Sequence, residues 1–179
     1  MSKLKLSYAL SIALTAAMIP ASAALAGHHA QKPTVVSAAV NSPDHTTLVS
    51  AVTAAGLAET LSGNGPFTVF APTNAAFAKL PAGTVETLLQ PANRDQLRSV
   101  LTYHVVPGKY DANSILRMIR NEGGKATLRT VQGEELAFAL VDGKVAVTDK
   151  RGGTATVTAT DLRQSNGIIH VTDAVSLPG

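Results

Sequence analysis

The 179-residue chain contains no cysteine and no tryptophan, and aromatic residues make up only 4% of it. Each shortage closes off a class of function. Without cysteine there is no disulfide framework, no thiol chemistry and no lipid-attachment cysteine. With three tyrosines and no tryptophan, stacking platforms for sugars or bases are lacking. Lysines and arginines are scattered, the longest run being Lys150-Arg151, so no nucleic-acid partner is expected. Also missing are a Gly-x-Ser-x-Gly elbow, a phosphate-cradling glycine loop and a His-Glu-x-x-His pair. The adjacent Glu134 and Glu135 would diverge on a strand and could not share acid-base work. The expectation is a protein that is not an enzyme and carries no cofactor.

The N-terminus is informative. Lys3 and Lys5 precede an apolar stretch, 6–19, and a small-residue site at Ala24-Leu25-Ala26, the pattern of a secretory signal peptide over 1–26. The stretch falls short of the ~20 apolar residues a membrane span needs, and no second one occurs, so no integral span is expected after cleavage. The formal charge of +3 would drop to +1 when Lys3 and Lys5 leave. Residues 27–32 read as a flexible polar tail, followed by one domain, 33–179. A domain of this size can bury roughly 70% of the surface its unfolded chain exposes, enough for a core without disulfides.

Helical spacing dominates the first half of that domain. Val35, Val36, Ala39 and Val40 repeat on one face, and Asp44 is placed to cap a helix carrying Leu48, Val49, Val52 and Ala55. A short helical piece follows over 57–61. Phe67 to Phe70 form an aromatic and β-branched run between Asn64-Gly65-Pro66 and Pro72, expected as a strand buried on both faces. Thr73 or Asn74 then caps a turn that directs Phe77 and Leu80 inward. Thr84 is expected to cap 85–89, and Asn93 with Gln96 is expected to form a capping box. Along the helix after Asn93, Leu97, Val100, Leu101 and His104 share the apolar face. Asp111 or Asn113 opens a further helix through Ile115 and Ile119 that Gly123-Gly124 stops, and Met118 on it reads as core filler.

The second half changes to period two. Strands are expected at 128–131, 135–141, 144–148, 154–160 and 168–175, with Asp142-Gly143 as a two-residue hairpin turn. Helices gathered before strands indicate an α+β domain.

Three segments carry a resemblance to a known family: Gly65-Pro66-Phe67-Thr68-Val69-Phe70-Ala71-Pro72-Thr73-Asn74-Ala75-Ala76-Phe77, then Thr102-Tyr103-His104-Val105-Val106-Pro107-Gly108, and finally the run from Asn166-Gly167-Ile168-Ile169-His170-Val171-Thr172-Asp173 to Pro178. In order and content they resemble the signatures of the fasciclin domain, an extracellular adhesion and interaction module. The resemblance covers about 33–178. It implies a fasciclin-like wedge of two β-sheets with helices packed from the N-terminal half, the Phe67 strand joining strands of the C-terminal half. It marks Phe67, Phe70, Thr73, Asn74, Phe77, His104, His170 and Asp173 as the structural motif. By the same resemblance Tyr103, His104, Asn113 and Ile115 match positions linked to integrin binding in animal members. Ser114 departs from that pattern, because an aspartate is expected there before the isoleucine.

The residues themselves favour a plainer role for His104. A histidine on the apolar face of a helix is expected to be a core residue bonded to a backbone carbonyl. His104 and His170 could meet in the fold near Asp173, but such a set lacks a nucleophile and an oxyanion hole. The function implied is a secreted or periplasmic adhesion or protein-interaction module, with an envelope or matrix protein or other cell-surface component as partner. Exposed loops at the sheet ends and the segment after Pro107 are where contact is expected. The alternative is a small-ligand or metal carrier. Cleavage after Ala26 would leave Gly27-His28-His29 at the terminus, where the amine, two backbone amides and the His29 imidazole offer the square-planar nitrogen set Cu(II) and Ni(II) prefer.

Overall fold

A computed structural model describes residues 32–179. The expected signal peptide, the tail before Lys32 and the metal-binding candidates Gly27, His28 and His29 lie outside the described residues.

The first helices are short and their ends are held in different ways. In α1 (Val35–Val40) the Thr34 hydroxyl accepts the Ser37 N–H, a local N-cap. A 3-10 turn at Pro43–His45 leads into α2 (Thr46–Ala54), which buries Leu48, Ala51 and Val52. Asp44 does not cap it. Asn74, from the first signature segment, reaches across instead: its Oδ1 accepts the Thr47 N–H at 3.0 Å and the Thr46 hydroxyl at 3.2 Å, while its Nδ2 donates to the Pro43 carbonyl at 3.0 Å. A tertiary contact thus satisfies the orphan donors that a local side chain was expected to satisfy.

After α3 (Ala58–Ser62) and the first strand comes α4 (Asn74–Ala78), capped by Thr73, whose Oγ1 accepts the Ala76 N–H. Helix α5 (Thr84–Leu88) starts after Gly83, which takes a left-handed φ of 83°, and Thr84 is its first residue rather than its cap. Before α6 (Arg94–Tyr103), Asn93 makes no capping bond. Its Nδ2 donates to the Thr87 carbonyl at 2.7 Å, so the expected capping box gives way to a tie between α5 and α6. Asp111 does cap α7 (Ala112–Asn121), accepting the Ser114 N–H at 2.8 Å.

Seven strands follow one hydrogen-bonded order, β2-β1-β7-β6-β5-β4-β3. They are β1 (Phe67–Pro72), β2 (Val105–Pro107), β3 (Lys125–Arg129), β4 (Glu135–Val141), β5 (Lys144–Thr148), β6 (Thr154–Arg163) and β7 (Gly167–Thr172). The two halves of the wedge share β6. Its start pairs with β5, and its later residues pair with β7 through two register shifts, between Val157 and Ala159 and between Ala159 and Leu162. Such irregularities bend a strand, which lets one strand serve both halves. Helices against a seven-stranded mixed sheet make the domain α+β. The β4–β5 turn has positive φ at both Asp142 (50°) and Gly143 (76°), as a two-residue turn of that sequence requires. Strand β2 was not expected, and β3 starts three residues earlier and ends two residues earlier than its apolar pattern indicated.

Strand β1 separates two apolar cores. Phe67, Val69 and Ala71 face a core built from α1, α2, α3, α5 and α6 together with Ile169. Phe70 faces the other, with Tyr103, Ile115, Ile119 and the inner residues of β3 to β6. Strand alternation sends neighbouring side chains to opposite cores, so β1 is buried on both faces.

Candidate functional site

The three signature segments meet on adjacent strands. Residue by residue, β1 pairs antiparallel with β2 (Val69 opposite Val105) and parallel with β7 (Phe70 opposite His170). Parallel pairing needs a long crossover, and here about ninety residues separate the two strands, so the folded sheet brings the ends of the domain together.

His104 is 3% exposed and both its ring nitrogens are engaged. Nε2 accepts the Ser176 N–H at 3.0 Å, so the proton sits on Nδ1, which donates to the Val100 carbonyl at 2.8 Å. One imidazole therefore caps an orphan carbonyl at the end of α6 and pins the C-terminal segment. Its backbone carbonyl also accepts the Phe70 N–H at 2.9 Å. Burial lowers its pKa, against smaller opposing effects from the Val100 bond and from Asp149, which keeps the ring neutral near pH 7.

His170 carries the opposite tautomer. Its Nε2 donates to the Tyr110 carbonyl at 2.8 Å, and its ring stacks on Phe70 with centroids 5.4 Å apart. Phe70 in turn packs on Phe138 at 5.1 Å. Burial again lowers the pKa, with the Tyr110 bond, Asp161 and Asp111 opposing it. The two histidines each bond their own backbone partners and form no dyad with each other or with Asp173. The Asp173 carboxylate accepts the Thr156 N–H at 2.7 Å and lies 3.5 Å from the Lys79 ammonium.

Tyr103 is fully buried, and its hydroxyl donates to the Glu135 carbonyl at 3.1 Å while accepting the Lys150 N–H at 3.2 Å. Ile115 is also buried, at 1% exposure. Of the four positions matched to integrin binding, Tyr103, His104 and Ile115 thus present no side-chain surface, and only Asn113 is exposed.

Sequence reasoning missed the residues that complete this framework. Asn166 donates from Nδ2 to the carbonyls of Leu61 and Gly63 and accepts the Val35 N–H on Oδ1, tying the start of β7 to α1 and α3. The buried Asp149 accepts the N–H groups of Arg151, Gly153 and Leu177. Thr68 bridges the Gly108 carbonyl and the Tyr110 N–H. The Asn-Gly pair at 166–167 was read only as a turn. Its glycine has a second reason: a Cβ at Gly167 would run into the Phe67 carbonyl oxygen. His45, also missed, is buried with Nδ1 2.8 Å from the Ser42 hydroxyl.

Among the described residues, no group of three or more His, Cys, Asp or Glu side chains is placed to hold a metal ion. The outward-facing features are of another kind. Leu140 and Val141, at the tip of the β4–β5 hairpin, are 48% and 51% exposed. Pro107 at the end of β2, and Lys109 and Asn113 after it, are exposed.

The fasciclin domain model matches residues 43–178. The chain is 52% identical over 145 residues to Protein sll1483 of Synechocystis sp., covering 81% of this chain and 73% of that protein. It is 35% identical over 154 residues to the cell surface glycolipoprotein MPB83 of Mycobacterium bovis, covering 83% and 62% respectively. Among solved structures it resembles a FAS1 domain pair from the insect cell adhesion molecule Fasciclin I, with a TM-score of 0.71 and 19% identity, over 81% of this chain and about half (51%) of that one. The fold, the three converging signature segments and these matches agree, and the chain belongs to the fasciclin domain family.

Proposed function

We propose that the chain is an exported, non-enzymatic interaction module of the cell envelope or extracellular matrix, binding an envelope or matrix protein or another cell-surface component. One observation carries the reading. The two histidines of the signature segments point inward onto backbone groups, whereas apolar side chains face solvent at the β4–β5 tip, at Leu140 and Val141. A rigid sheet that presents exposed apolar and loop residues is suited to contact rather than turnover. The segment from Pro107 to Asn113 supplies a second exposed stretch for the same contact.

Family membership supports adhesion or protein interaction as the broad role. The signal pattern over 1–26 and the surface location named for the mycobacterial relative support export. Among the described residues no helix is long and apolar enough to cross a membrane.

The test is crosslinking of the tagged protein in its own cells, in parallel with a Leu140→Lys, Val141→Glu double variant, with mass spectrometry of captured partners and of the processed N-terminus. The expected result is an envelope or matrix partner captured by the native protein and lost with the double variant, on a chain beginning at Gly27. Equal capture by both proteins, or an unprocessed chain, would overturn the reading.

A further inference from the structure

The core around the first helices is not closed. Between α1 and α2, on the Val69 face of β1, lies an apolar cavity of about 130 Å³. Well-packed interiors have few voids larger than a water molecule. An engineered apolar cavity of ~150 Å³ stays dry and takes up benzene, so one of this size can hold a hydrocarbon group. The sequence shows why it stays open. Ala39 and Ala58 stand on the cavity wall, and side chains this short leave space that leucines would fill.

We propose that this cavity is a binding site for an unbranched aliphatic chain. The chemistry of the wall selects that class. Two residues with polar side chains line the cavity, Thr53 and His104, and both side chains are already engaged. The Thr53 hydroxyl donates to the Val49 carbonyl at 2.9 Å, and His104 is held by Val100 and Ser176. No polar side chain of the wall is left to recognise a donor, an acceptor or a charge, and no charged residue lines the cavity. A volume of about 130 Å³, bounded by Val36 and Ala39 of α1 and by Val49 and Val52 of α2, favours a slender ligand. Val40 stands at the rim, 57% exposed, while Val105 of β2, on the same wall, is 2% exposed. The slot therefore runs from solvent to the sheet, and a chain longer than the cavity continues over the apolar rim with its polar end in water. This binding is separate from the hairpin contact proposed above, and either can fail without the other.

The experiment is titration of the full chain without its first 26 residues with cis-parinaric acid, a fatty acid that fluoresces when its chain leaves water. Saturable binding at one site per protein is expected, unaffected by a change from low to high salt because no charge lines the wall. Val49→Phe, which fills the slot, should weaken binding about tenfold or more, a loss of ~1.4 kcal/mol per factor of ten. Val40→Asp places a charge at the exposed rim without touching the core and should weaken binding while leaving the thermal unfolding midpoint unchanged. Unlabelled palmitate should displace the probe, whereas phosphatidylcholine vesicles should not sediment the protein. Absence of saturable binding, equal affinity in the native chain and both variants, or capture by vesicles without uptake of the free acid would each overturn the proposal.

Discussion

Replacing His104 by alanine tests the framework role of that histidine directly. The substitution leaves two buried groups without partners, the Val100 carbonyl and the Ser176 N–H. Each unpaired buried group costs about 1–3 kcal/mol, so the variant should lose roughly 2–6 kcal/mol, with about 4 as the central value. For a domain of this size ~1 kcal/mol corresponds to about 2–4 °C, so at the central value the unfolding midpoint should fall by roughly 8–16 °C. The same change should open the C-terminal segment locally, and hydrogen exchange at the Ser176 amide should accelerate more than exchange in β1. Acid should mimic the mutation. Protonating His104 turns the Nε2 acceptor into a donor and breaks the Ser176 bond. Because burial lowers the folded-state pKa, the unfolded chain binds the proton more readily. His104 therefore contributes stability that is present above the unfolded-state value of about 6.5 and is lost as pH falls towards the lower folded value. His170 and His45, whose pKa values burial also lowers, act in the same direction. The native protein should thus lose stability as pH drops below about 6.5, and His104→Ala should lose less over that window. Urea unfolding at several pH values measures both effects. An alanine variant within ~0.5 kcal/mol of the native protein, the usual range for surface substitutions, would refute the assignment of His104 as a structural staple.

Three further outcomes are expected. Phe70→Ala removes a ring that is 1% exposed and packs between Phe138 and His170, and should cost about 3–5 kcal/mol in urea unfolding. Gly167→Ala forces a Cβ against the Phe67 carbonyl oxygen and should destabilise the parallel β1–β7 pair, read as lost protection in hydrogen exchange at β1, whereas Gly143→Ala, with open space at its Cβ, should leave that pair intact. If cleavage follows Ala26, Cu(II) titration of the processed chain should show one nitrogen-bound site that disappears when Gly27 to His29 are removed.

How much of this was legible beforehand differs from one element to the next. The helix carrying Leu97, Val100, Leu101 and His104 was readable because a 3.6-residue period repeats over enough turns to exceed chance. The Asp142-Gly143 turn was readable because few residue pairs accept two positive φ values. The caps were less so. Thr73 and Asp111 cap their own helices, as a local rule can anticipate. Asn74 and Asn93 bond to other elements, because a short amide bonds whichever backbone group the tertiary fold brings near it. Strand β2 was missed because three residues carry too little periodicity to register, and its pairing is fixed by β1 rather than by its own sequence.

The sequence by itself determined the class of the domain, its family, the burial of Phe70 and the placement of His104 on an apolar face. The class, the burial and the placement follow from composition and from patterns within one element, and the family from the resemblance of three ordered segments. The tertiary structure alone decided where the polar atoms of those elements find their partners: Nε2 of His104 on Ser176, the Tyr103 hydroxyl between Glu135 and Lys150, and Asn166 between α1 and α3. The physical reason is range. A hydrophobic period acts over a few turns of one helix, whereas a hydrogen bond is settled only when packing has brought together residues separated in the chain by tens of positions. The slot between α1 and α2 belongs to the same class, since a void is a property of facing surfaces and neither surface contains it.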